Sequence, residues 1–408
     1  MFSNLKATKI IVLIGLLLVI FFKINFSDLL LTECYTNQPS YHSGDEATLY
    51  YSSQRVFPFN VNIPIIDANK KEVFSIHLPY HKEAIAENKI LLDGLQLTHK
   101  KTFIIPENIK PGIYFINGKH PLIIKNRTPQ SNICVVYPFM NNLIYQPYQH
   151  QTVFDIKAAT TSFLRTVYED DYSKGLKKLF NQLDANYITD IDLENITNLK
   201  NQQLLIIYGK ATYFTPKMKQ NIDDFVENGG NLIIISSYYQ NNICWYNSST
   251  AKVTLIHPKS DAIQSWQGYL TQQNDSITTL SPLNYAYGGF TDKSDNLIIN
   301  NTNHPILKGV ANINVATYLN MSLPTIWDDK KPIIDTSKMK VHSAEILAYG
   351  KASYNNFNGI RGIFIFQPNK TSGKIISLVS EDWCLEKNYA KNNDIQLITK
   401  NAIDFLMK

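Results

Sequence analysis

Closely spaced cysteines are absent. Cys34, Cys134, Cys244 and Cys384 are scattered, with no CxxC pair, which excludes a disulfide scaffold and a zinc knuckle. An excess of one charge is absent too. Lys+Arg number 39 against Asp+Glu 34, and the net +5 is too weak and diffuse for a nucleic-acid binder. No HExxH, GxxxxGK(S/T) or GxGxxG occurs, so these metal, phosphate and dinucleotide motifs drop out. Ser236 and Ser237 are followed by tyrosines instead of the small residues a nucleophile elbow needs. Cys244 stands beside Trp245 with no glycine elbow, which also removes a glutamine amidotransferase proper. What remains is a 408-residue chain, 44% hydrophobic and 18% charged, the composition of a packed globular protein.

Ile10 to Phe22 is an unbroken apolar run, with Lys6 and Lys9 before it and Lys23 after it. This is the pattern of a secretory signal or a signal anchor. The run falls short of the roughly 20 residues of a full span, but Ile24 to Leu31 extends it if Lys23 snorkels. No A-x-A site follows, and Leu31-Thr32-Glu33 makes a poor lipobox ahead of Cys34. The expectation is an uncleaved membrane anchor over 1–31, with a cleaved signal and a secreted product as the alternative. Leading positive charges place the bulk of the chain outside the cytoplasm, in the periplasm or at the cell surface.

Residues 32–126 alternate in short segments, as in Ala47–Tyr51, Val61–Ile65, Glu72–His77, Lys101–Ile105 and Ile113–Ile116, with turn residues between them. That spacing predicts a small antiparallel, immunoglobulin-like β-sandwich. Its histidines, His42, His77, His81, His99 and His120, are too scattered for a metal site. From Ile133 the period changes. Ile133–Tyr137, Leu204–Tyr208 and Leu232–Ile235 read as buried strands. Between the last two, Thr215-Pro216 opens a helix over Lys217–Glu227, and Gly229-Gly230 ends it. This βαβ unit predicts an α/β domain with an open parallel sheet over 133–408. In such a sheet ligands gather at the carboxyl ends of the strands. Here those ends are Tyr137–Tyr145, Gly209–Thr215 and Ser236–Asn242. Ser237, Asn242 and Trp245 are the candidate ligand-binding residues of the third.

The run Leu204 to Trp245 resembles the C-terminal domain of the large (beta) subunit of N,N-dimethylformamidase. That domain has a strand, a GHDEYW-like loop, a helix, a GGN strand and a following Trp. The counterparts here are Tyr208-Gly209-Lys210-Ala211-Thr212-Tyr213-Phe214, Asn228-Gly229-Gly230-Asn231 and Cys244-Trp245. Val136-Tyr137-Pro138 with Ile144-Tyr145 resembles the family's opening loop, and Asn303 to Gly309 its HPxxxG element. Ser380-Glu381-Asp382-Trp383 and the helix with Thr399-Lys400-Asn401 resemble its closing strand and helix. The likeness implies a class I glutamine amidotransferase-like, flavodoxin-like fold. It also implies hydrolysis of a small linear amide by a mononuclear iron held by tyrosine phenolates and a glutamate, with a small partner subunit or a homo-oligomer.

Carried over by position, Tyr213 matches the tyrosine of the EYW-like loop and Tyr145 that of the opening loop. Both are metal-ligand candidates. Asp328, in Trp327-Asp328-Asp329, is a third, with Glu345 a further substitute for the glutamate. The family's His-Asp-Glu is replaced by Lys210-Ala211-Thr212. That departure opens an alternative: a catalytically degenerate cell-envelope ligand-binding protein, whose Tyr238, Tyr239, Trp245 and Tyr246 stack on flat ligands.

Overall fold

A computed structural model describes residues 33–408 except 54–59, 84, 86–88, 128–130, 149, 237–238, 241, 257–283, 291–295, 316–318, 323–324, 329–330, 335–340, 355–356 and 390. The anchor expected over 1–31 lies outside the described residues. Among the described ones no helix is long and apolar enough to cross a membrane.

Alternating side chains build the N-terminal part. Glu33–Thr36, Glu46–Ser52 and Lys100–Ile104 form one antiparallel sheet. Ser40–His42, His120–Lys125, Gly112–Ile116, Val61–Ile66 and Glu72–Leu78 form a second. Every other residue points inward, so Leu49, Tyr51, Ile63, Ile65, Leu122 and Ile124 of both sheets share one core. The pairing is not purely antiparallel as the turn pattern predicted, because Ser40–His42 runs parallel to Ile123–Lys125.

The C-terminal part corrects the fold expectation. Five strands do run parallel: β1 (Ile133–Tyr137), β2 (Asn186–Thr189), β3 (Leu204–Tyr208), β4 (Asn231–Ile235) and β5 (Ile375–Leu378). Their order is β2-β1-β3-β4-β5, but the sheet continues past β5 with antiparallel strands. Phe357–Gln367 pairs with β5 and folds back on Ser343–Tyr354, and Asn296–Ile299 with Ile313–Asn314 closes the edge. The result, among the described residues, is a nine-stranded mixed sheet with far more strand than helix, not a flavodoxin-like α/β domain. The cause lies in the connections. Parallel neighbours need long crossovers, whereas antiparallel ones need only a tight turn. Among the described residues, only between β3 and β4 does a single long helix make the crossover, α2 (Pro216–Glu227). It starts as predicted, the Thr215 hydroxyl accepting from Met218 N at 3.2 Å, and buries Met218, Ile222, Phe225 and Val226. The β2–β3 link is two 3-10 turns, and the described residues between β4 and β5 are mostly strand. Two more helices matter below, α1 (Phe139–Tyr145) after β1 and the closing α3 (Asn393–Leu406).

Candidate functional site

The carboxyl ends of β1, β2, β3 and β5 meet at one rim, held together by two buried polar residues. Asp190, the residue after β2, accepts from Met140 N at 2.8 Å, Asn141 N at 3.0 Å and Ile191 N at 3.1 Å, and so caps the first turn of α1. Asn141, fully buried in α1, donates through Nδ2 to Asp190 at 3.0 Å and to the Tyr213 carbonyl at 3.1 Å. Its Oδ1 accepts from Thr212 N at 3.0 Å and Tyr213 N at 2.8 Å. The loop after β3 is therefore fastened to α1 by side-chain bonds, since two residues of strand, Tyr213–Phe214, give it little ladder of its own.

Burial pushes the Asp190 carboxyl up to about 6, against the pull of its donors. The folded state then holds this proton more tightly than the unfolded chain does. Its contribution to stability is complete below a pH of about 4 and is lost as pH rises through about 6. Urea midpoints of the wild type should carry this loss between those values, and Asp190→Asn should remove it. Parallel curves for the two proteins would refute the assignment.

Tyr213 sits under this rim at 3% exposure. Its ring lies 6.0 Å from that of Tyr145 and 6.4 Å from that of Phe154, centroid to centroid. Its hydroxyl hydrogen-bonds with the Asn242 side chain, whose residue is also its register partner in the strand Asn242–Asn247. Burial raises the phenol to about 12, and Cys244 adds to the rise. Towards solvent the rim turns charged. Lys210 Nζ lies 2.6 Å from Asp170 Oδ2, and 5.0 and 5.3 Å from the ring centroids of Tyr145 and Tyr172. The Tyr172 phenol is raised to about 12 by burial and then by the carboxylates of Asp382, Glu381, Asp170 and Asp171. Glu381 and Asp382 follow β5 through Val379, whose φ of 54° is a left-handed conformation that a β-branched residue rarely adopts.

Of the residues expected at the site, Tyr213, Tyr145 and Asn242 come together. Trp245 lies three residues along the same strand and is 46% exposed. Ser237 and Tyr238 lie outside the described residues. Asp328 falls in a separate two-stranded ribbon, Thr325–Asp328 with Lys331–Ile334, not in the sheet that holds the rim. Asn141 falls within the expected strand end Tyr137–Tyr145, whereas Asp170, Tyr172 and Asp190 carried no such mark in the sequence. The available signal was Asp190-Ile191-Asp192 directly after a short strand, a polar cluster at a strand end. Two cavities, of about 560 and 490 Å³, lie elsewhere, along the seam between the two parts of the chain. Charged groups there largely satisfy one another, as Lys125 with Asp192 at 2.8 Å and Arg127 with Asp45 at 2.9 Å. The rim, where Tyr145, Tyr213 and Asn242 converge, is the better site.

One comparison shows the family. The family described as N,N-dimethylformamidase beta subunit-like, C-terminal, matches residues 79–314, more than half of the chain. The protein belongs to that family and is a dimethylformamidase-like protein. No curated protein matches it. Among solved structures, one titled "mmIFT52 N-terminal domain" is similar at 13% identity and a TM-score of 0.34, over 57% of this chain and 88% of that one. So slight a likeness has no bearing on function.

The donor set at Tyr213 does not fit the iron that this family implies. A ferric site needs deprotonated phenolates with carboxylate or imidazole help. Here the Tyr213 phenol is buried and the side chain bonded to it is the amide of Asn242, not a carboxylate or an imidazole. Among the described residues no three His, Cys, Asp or Glu side chains are placed to hold a metal ion.

Proposed function

We propose that this protein is a non-hydrolytic member of the dimethylformamidase-like family that binds a small ligand at the cell envelope. In this reading residues 1–31 anchor it in the membrane and the bulk of the chain faces outward. The observation that carries the reading is the Tyr213 phenol, buried and bonded to Asn242 where a metal centre would need an anionic partner. Lys210-Ala211-Thr212 in place of the family's acidic loop supports it, as does the exposed ring of Trp245 beside the rim. The contrary reading, metal-assisted hydrolysis of a small amide, is favoured by the meeting of Tyr145 and Tyr213 at 6.0 Å.

Addition of ferric iron to the purified full-length chain separates the two. The binding reading expects no phenolate-to-iron absorption band in the visible, no cleavage of N,N-dimethylformamide, and identical behaviour of Tyr213→Phe. A band or an amidase activity that Tyr213→Phe abolishes would overturn it.

A further inference from the structure

The Lys210 ammonium occupies a cage. The rings of Tyr145 and Tyr172 lie within 5.0 and 5.3 Å of Nζ, and the Asp170 carboxylate lies 2.6 Å away. The walls come from two separate places, the last residue of α1 and the stretch from Asp170 into Asp171–Lys174, and the lysine comes from a third, the loop after β3. Two aromatic faces and a carboxylate are the elements that recognise organic ammonium ions, because the ring quadrupoles attract a cation that the carboxylate then neutralises. The surrounding field is negative as well. Glu381, Asp382, Asp170 and Asp171 all act on the Tyr172 hydroxyl, with Lys174 paired to Asp171 and Lys210 to Asp170. The cage is reachable, since the Lys210 side chain is 23% and that of Asp170 15% exposed.

We propose that Tyr145, Tyr172 and Asp170 form a binding site for a small organic ammonium ion, and that Lys210 is its resident intramolecular occupant. The ligand's cation enters as the lysine swings outward. A tethered occupant competes at an effective concentration in the millimolar range, so the cage discriminates against weakly binding cations. The inference rests on reading this rim as a ligand site and adds the charge of the ligand. Tyr213 and iron play no part in it, so either proposal can fail alone.

Tetramethylammonium chloride is the probe, titrated into the full-length chain in detergent micelles and followed by calorimetry, with potassium chloride as the ionic control. Lys210→Met, which keeps the stem and removes the charge, is expected to bind the probe at least tenfold more tightly than the wild type. Adding Tyr172→Leu to that variant is expected to reverse the gain. Equal binding by wild type and Lys210→Met, or no response to Tyr172→Leu, would overturn the proposal. Should Lys210→Met fail to fold, the wild type decides the matter. After reductive ¹³C-dimethylation, one lysine signal is expected upfield under the two rings, absent in Lys210→Arg, and moving downfield as tetramethylammonium is added. A Lys210 signal at the position of solvent-exposed lysines, or one unmoved by the probe, would overturn the cage equally.

Discussion

Asn141→Ala is expected to destabilise the protein by on the order of 4 kcal/mol and to release the loop that carries Tyr213. The substitution removes four hydrogen bonds at once. Thr212 N, Tyr213 N and the Tyr213 carbonyl lose their buried partner, and Asp190 loses one of its donors. A buried donor or acceptor left unmatched costs roughly 1–3 kcal/mol, while the small volume lost at an asparagine adds little. Water entering the gap would soften the total but would not restore the loop's position. Two measurements check it: the urea midpoint of the variant, and amide exchange at Thr212 and Tyr213, which should accelerate far more than exchange in β3. A loss below about 1 kcal/mol, with those amides still protected, would show that Asn141 does not fasten the loop.

The second large effect is at Gly373. A β-carbon there would stand 1.9 Å from the Gly230 oxygen and 2.4 Å from the Gly230 carbon. Both are backbone atoms, so no rotamer change relieves the contact. The turn over 369–373 nests against the end of α2, where Gly373 N donates to the Val226 carbonyl at 2.8 Å. Gly373→Ala must therefore push β5 away from β4 or tear the turn open. The expected cost is about 3 kcal/mol or more, the upper range for overpacking, seen as a fall in thermal midpoint and in soluble yield. Gly229→Ala is the internal comparison. Gly229 has a φ of +96°, but the nearest atom to its β-carbon would be 3.8 Å away. Only backbone strain of about 1–2 kcal/mol is expected there. Equal effects at the two positions would refute the close approach between the turns.

Local patterns were legible where the physics is local. The apolar run Leu204–Tyr208, the Thr215 cap, the Met218, Ile222, Phe225 and Val226 stripe and the Gly229-Gly230 stop together define β3, α2 and β4, and each appears in the structure. The extent of the parallel sheet was not legible. Strands such as Ser343–Tyr354 and Asn296–Ile299 carry no mark of which edge they join, and that choice turned a parallel sheet into a mixed one.

The site divides in the same way. The chain alone placed Tyr145, Tyr213 and Asn242 at strand ends, because a loop following a buried strand can be read from hydrophobic periodicity. It also showed Lys210-Ala211-Thr212 where the family has acid and imidazole. The partners of those residues were decided only by tertiary packing. Asn141 reaches Asp190 across 49 positions and Tyr213 across 72, and such bonds leave no periodic trace in the sequence. Burial, too, is a property of the assembled sheet. It is burial that raises the Tyr213 phenol and the Asp190 carboxyl, and so sets what chemistry the rim can perform.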